Sequence, residues 1–228
     1  MRLRTEYSVG AELKFLSNLD MMHLMERSLR RADIPYALSE GFNPHVKLSM
    51  GTVLPVGISG EKEYFDLELS QYMRADDFMQ RMNAVLPEKV KIRQSVLIPA
   101  QMPSLMKTIN SACYSFIVCH QTLDLMNWAA EFLSNDSLIV KSRGKKKDLD
   151  KDLRPGIYKV EVKQNKDLSS IDIWVSIGEP VNVRYDELLD IFLKKGFSHD
   201  DIVEVYRKAN YIKEKGAFYS PLEKVTAS

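Results

Sequence analysis

The stretch ALSEGFNPHVKLSMGTVLPVG, residues 37–57, crowds Gly41, Asn43, Pro44 and His45 between two strand-like segments. An imidazole can serve as general acid or base near neutral pH. Asn43 and the backbone N–H groups around Gly41 could meet a ligand. The same residues also suit a structural connection, because glycine takes positive φ and Asn-Pro favours a turn. Residue type leaves both readings open.

Asp20, His23, Arg27 and Arg30 or Arg31 recur at helical spacing and form one polar stripe. A solvated helix face suits Asp20. Arginines just before the GFNPH loop suit phosphate or carboxylate held in two-pronged geometry. Farther along, residues 141–154 carry seven Lys or Arg against three Asp. A basic loop over 143–156, including Lys145 and Lys146, could track an RNA backbone or simply be solvated. Its end, Asp152-Leu153-Arg154-Pro155, combines a pairable Asp and Arg with a turn. The four histidines lack metal-ligand spacing, and no P-loop, G-x-G-x-x-G or G-x-S-x-G motif occurs. No metal and no cofactor are expected in this chain. Cys113 and Cys119 are expected as buried structural thiols on one face of a strand, and Trp128 and Trp174 as core residues.

The elements that must hold these groups follow from periodicity. RLRTEYSV reads as a strand. Ser17 with Asp20 resembles a capping box opening a helix over 17–32, with Leu16 and Met21 as a staple, and Leu19, Met22, Met25 and Leu29 as its apolar stripe. Pro35 stops it. Strands are expected at 36–38, 46–56, 61–70 and 90–98, with a helix at 75–86. The order β-α-β-β-α-β is the split βαβ pattern. Residues 99–110 read as a linker. CYSFIVC, SLIVKS, IYKVEVKQ, SIDIWVSI and IVEVYRKANYI read as strands, with helices at TLDLMNWAAEFLSN and RYDELLDIFLKKG, so the second half repeats the order. The expected fold is α+β: two tandem ferredoxin-like units with antiparallel sheets, residues 1–99 and 111–228.

Composition sets outer bounds. Hydrophobic residues make up 45% and charged residues 28%, as in ordinary globular chains. The net charge of +1 gives no bulk argument for nucleic acid, so any such case rests on local patches. Two cysteines are too few for a disulfide framework. With no membrane-length apolar run and a charged start, the reading is cytoplasmic, with no membrane partner.

Residues 13–69 resemble the radical SAM-linked protein family, a bacterial domain of unknown function. The matching residues are Phe15, Ser17, Leu19 and Asp20, then Glu26, Arg27, Arg30 and Arg31, then Ser39, Gly41, Phe42, Asn43, Pro44 and His45. Leu54, Pro55, Gly57 and Glu63 continue the match, and Asp152, Arg154 and Pro155 resemble the family's Asp-x-Arg-Pro. Asn18 stands where the family often has His in Ser-His-Leu-Asp, which argues against a catalytic histidine there. The resemblance implies a radical SAM protein as partner, since members are encoded beside or fused to one, often near ribosome or RNA-processing genes. It implies no established activity.

The leading expectation is therefore a non-enzymatic accessory or RNA-binding module working with a radical SAM modification enzyme on tRNA or rRNA. Its ligand- or RNA-binding residues would be Arg27, Arg30, Arg31, Ser39, Gly41, Phe42, Asn43, His45, Lys145, Lys146 and Arg154. Two alternatives stand beside it. One is a metal-free RNA endonuclease of tandem ferredoxin-like type, with His45 or His23 as base. The other is a pure protein-interaction adaptor.

Overall fold

The computed structural model describes residues 1–119, 124–144 and 148–226. In chain order the elements are β1 (Arg2–Val9), α1 (Asn18–Arg31), β2 (Leu48–Met50), β3 (Ser59–Glu68), α2 (Ala75–Val85), β4 (Val90–Ile98), α3 (Leu105–Thr108), β5 (Ser111–Val118), α4 (Leu125–Ser134), β6 (Ile139–Lys141), β7 (Asp150–Asp152), β8 (Ile157–Lys163), β9 (Ser169–Ser176), α5 (Tyr185–Lys194), β10 (Ile202–Glu214), β11 (Ala217–Tyr219) and α6 (Glu223–Thr226). This is a mixed α+β protein whose registered strand pairs are antiparallel. It divides into two compact units, Met1–Ile109 with Ala209–Ser228, and Asn110–Lys208.

In the first unit the strand order is β4-β1-β3-β10, with β2 also on β3 and β11 on β10. Strand alternation sends Leu3, Tyr7, Phe65 and Leu67 to the core, where α1 and α2 cover them with Met21, Met25, Leu29, Phe78 and Met82. Leu16 and Met21 share that core, as the staple requires. Leu19 does not join it. It lies two residues, about 200° around the helix, from Met21, and so faces solvent. The capping box is present: the Asp20 N–H donates to Ser17 Oγ at 3.1 Å and the Ser17 N–H to Asp20 Oδ2 at 3.1 Å.

Residues 99–110 are more than a linker. Leu105 is buried, and the carbonyls of Met102 and Pro103 accept hydrogen bonds from Arg2 and Arg4. Arg4, only 2% exposed, also makes two 2.9 Å bonds to Asp66 from the neighbouring strand. The fork-to-carboxylate geometry satisfies a charge pair that burial would otherwise penalise. Nearby, Tyr64 donates to Glu6 at 2.6 Å. Burial and the adjacent Glu6 carboxylate push the Tyr64 phenol far above its ordinary range.

In the second unit the order is β10-β5-β9-β8, and β6 pairs with β7 in a separate hairpin. SLIVKS therefore supplies a hairpin strand off the main sheet. One sheet face packs Phe116 on Phe192, with ring centroids 4.3 Å apart, and Trp128 against Phe132, Phe192 and Phe197. Trp174 is buried on the opposite face, capped by the Lys159 ammonium at 4.8 Å.

Several expectations change. Only Leu48–Met50 of the expected 46–56 strand is regular, because Gly51, Pro55 and Gly57 interrupt the ladder beyond it. Cys113 is buried and its thiol is pushed up by burial and by Asp172, but Cys119 is exposed. β5 ends at Val118, and the Cys119 backbone N–H donates instead to Asp201 at 2.8 Å. The expected second domain, 111–228, loses its last residues: Ala209–Ser228 groups with the first unit. There Asn210 donates to Glu63 at 3.1 Å and accepts from Thr52 at 2.7 Å.

Candidate functional site

α1 leads directly into the site. Ala32 caps it, Asp33 turns the chain at φ 51°, and residues 35–38 run beside the end of β3. There the Ala37 N–H donates to Glu68 at 2.8 Å, the Ser70 N–H donates to Pro35 at 2.8 Å, and Tyr36 bridges Leu69. The chain then leaves the sheet and returns. Leu38 and Val46 bridge, and the Lys47 N–H donates to Ala37 at 2.9 Å.

Between those arms lies the loop Ser39–His45. The Ser39 N–H donates to the His45 carbonyl at 2.8 Å, while Ser39 Oγ accepts the His45 N–H at 3.0 Å and touches ring Nδ1 at 2.9 Å. One serine thus fixes both the backbone and the imidazole, and among the described residues Nε2 has no hydrogen-bond partner. Gly41 has φ +120°, a conformation that side-chain-bearing residues rarely adopt. Beside it the Phe42 ring is fully exposed, at 106% of its reference area. Asn43, Pro44 and His45 are exposed as well. The loop has a hydrogen-bonded base and an uncovered aromatic tip.

The predicted stripe on α1 is an exposed face carrying Asp20, His23, Arg27 and Arg30. The Ser17 hydroxyl bonded to Asp20 holds that carboxyl below its usual range. Among the described residues, Arg27 and Arg30 form no hydrogen bond or ion pair. Arg31 has a different role: Nη2 donates to the Val85 carbonyl at 2.8 Å, which ties the end of α1 to the end of α2.

The remaining predicted positions belong to the second unit. Arg154 is turned inward. Its guanidinium donates to the carbonyls of Leu133 (2.9 and 3.2 Å), Asn135 (3.1 Å) and Ile157 (3.0 Å), closing the open C-terminal end of α4. Asp152 Oδ1 accepts the N–H groups of Leu138 at 2.7 Å and Arg154 at 3.0 Å. Gly156 admits no side chain, since a Cβ there would meet Val181 and Val183 at 2.6 and 2.7 Å. The Asp-Leu-Arg-Pro motif is a structural clamp.

The basic loop is also largely paired where it is described. Arg143 makes bonds of 2.9 and 2.7 Å to Asp190, Lys141 lies 2.7 Å from Asp150, and Lys151 lies 2.6 Å from Glu187. Lys145 and Lys146 lie outside the described residues. Glu187, which the sequence reading passed over, is fully buried and accepts from Arg143, Lys151 and Arg184. A glutamate at the third position of a helix is the available signal for such a hub. Beside it a cleft of about 500 Å³ is lined by Lys141, Ser142, Arg143, Asp148, Asp186 and Asp190. Among the described residues, no group of three or more His, Cys, Asp or Glu is placed to hold a metal ion, and no helix is long and apolar enough to cross a membrane.

No curated protein matches the chain. Among solved structures, a chain of the "Crystal Structure of a Cbf5-Nop10-Gar1 Complex" is similar over 98% of this chain and 54% of its own length, with 13% identity and a TM-score of 0.51, a likeness of fold alone. This chain thus spans about half of that one. An unknown protein from Galdieria sulphuraria aligns at 10% identity over 85% of this chain and 90% of its own, with a TM-score of 0.24. Residues 2–185 match the family described as "Uncharacterized protein conserved in bacteria (DUF2344)", which is most of the chain. The chain belongs to that bacterial family.

Proposed function

We propose that this protein is a non-catalytic RNA-binding accessory module, which presents RNA to a radical SAM modification enzyme through the first unit. The observation that carries the reading is the Ser39–His45 loop, which holds a fully exposed Phe42 ring on a hydrogen-bonded base. Arg27 and Arg30 on the preceding helix, exposed and without a hydrogen bond or ion pair among the described residues, supply cations for phosphate. Aromatic faces that stack bases, combined with cations that meet the backbone, are the usual means of holding unpaired nucleotides. The partnership with a radical SAM enzyme rests on the resemblance of residues 13–69.

Topology supports treating each unit as a split βαβ variant. The observations behind that reading are the orders β4-β1-β3, with β2 also on β3, and β10-β5-β9-β8. That argument concerns fold and lends RNA binding no more than analogy.

The test is titration of tRNA and rRNA fragments at several salt concentrations, with and without the radical SAM protein. Salt-sensitive binding that weakens in Arg27→Gln and Arg30→Gln is the expected result. Absence of binding in both settings overturns the reading. His45-dependent cleavage of the RNA in metal-free buffer would replace it with the endonuclease reading.

A protein-adaptor reading has its own supporting observation. Phe15, Leu19, Val53 and Val56 are all more than half exposed, and the Gly57 N–H donates to Lys14 at 2.7 Å, joining their two segments. Loss of co-purification with the radical SAM protein in Phe15→Ser/Leu19→Ser, with RNA binding intact, would establish that second role.

A further inference from the structure

A second exposed ring stands on the segment that carries the loop's base. After β3 the chain runs through Leu69, 6% exposed, and Met73, 8% exposed, both in the core of the first unit. Tyr72 lies between these anchors and is 65% exposed, with no hydrogen bond to its hydroxyl among the described residues. Its segment is stitched to the base of the Phe42 hairpin: Leu69 bridges Tyr36, and the Ser70 N–H and hydroxyl reach the Pro35 carbonyl at 2.8 and 3.0 Å. The two rings therefore rise from neighbouring, mutually bonded segments.

From this arrangement we infer that the ligand is single-stranded RNA, with one unpaired base stacked on Phe42 and another on Tyr72. The inference rests on the RNA-binding reading above and adds to it a strand class and a new contact residue. Bases in a duplex are already stacked and cannot offer a face to either ring, whereas splayed bases can. The flanking chemistry suits a polyanion. Among the described residues Arg27 and Arg30 form no hydrogen bond or ion pair, and Arg74, two positions after Tyr72, makes an exposed pair to Asp76 at 3.6 Å. Such a surface pair contributes little and yields readily to phosphate. A protein-docking patch would be contiguously apolar. Along the chain Phe42 is flanked by exposed Gly41 and Asn43, and Tyr72 by exposed Gln71 and buried Met73.

The deciding experiment measures anisotropy of fluorescein-labelled oligouridine, free and annealed to oligoadenosine, with the full chain. The expected result is binding of the single strand and at least roughly tenfold weaker binding of the duplex, with Phe42→Ala and Tyr72→Ala each losing about tenfold. Tyr72→Phe should retain affinity, because the ring face does the stacking, and melting curves of all variants should match the parent. Equal binding of duplex, or unchanged affinity in Tyr72→Ala, overturns this inference and leaves the RNA-binding reading in place. If neither RNA binds, this inference falls, and the RNA-binding reading falls with it when tRNA and rRNA fragments also fail to bind with and without the partner.

Discussion

Two motifs with similar chemical promise have opposite fates. Asp152-Leu153-Arg154-Pro155 turns every notable polar group inward: the guanidinium to three carbonyls and the carboxylate to two N–H groups. Ser39–His45 directs only its serine inward and leaves Phe42 and one imidazole nitrogen outside. An arginine's planar fork fits a helix's open carbonyls as well as it fits a phosphate. The informative difference is which groups still lack partners once the chain has folded.

The largest test of this contrast is Arg154→Met. It removes a charged donor from three carbonyls, so unfolding free energy should fall by about 2–3 kcal/mol. Arg154→Lys should recover little of it, because an ammonium cannot span the fork. Urea denaturation gives the numbers, and RNA affinity of the folded fraction should not move. A loss of RNA binding without a loss of stability would break the comparison. Next, Asp152→Ala should cost about 1–2 kcal/mol through its two N–H groups, and Asp152→Asn less, since an amide oxygen still accepts.

On the other side, Ser39→Ala should lower global stability by less than about 0.5 kcal/mol while speeding hydrogen exchange at the His45 amide. Unchanged exchange would mean the loop has no clamp. Arg30→Gln should leave stability unchanged and reduce the salt slope for single-stranded RNA by about 0.7. The smallest effect concerns Asp20, whose pKa is depressed by the Ser17 hydroxyl. Its contribution is present above the unfolded carboxylate pKa and disappears as pH falls through the folded value. The melting-temperature gap between parent and Asp20→Asn should therefore close on acidification.

Much of this was legible from pattern. Ser17, Asp20 and Pro35 marked α1, and alternation in EKEYFDLELS marked β3, because local chemistry decides both. Residues 46–56 read as one strand because their apolar content masks Gly51 and Pro55, which end the ladder after Met50. Spacing from Met22 and Met25 suggests a buried Leu19, because spacing alone does not show which side of the helix faces the sheet. In the second half, the role of Arg154 was invisible because its partners, Leu133 and Asn135, are peptide carbonyls, which every residue supplies. No local pattern marks Tyr72, whose exposure becomes visible only beside the buried Leu69 and Met73.

The division of β10 affects the timing of synthesis. Its early residues serve the second unit, and Ala209 onward completes the first. A ribosome-bound chain ending near Ile109 has made the candidate loop but not Asn210, the partner of Glu63 and Thr52. At roughly 5–20 residues per second, the intervening stretch takes on the order of ten seconds to translate. The first unit thus stays incomplete until the residues from Ala209 onward have been made, and a chain cut before Asn210 would lack the partner of Glu63 and Thr52.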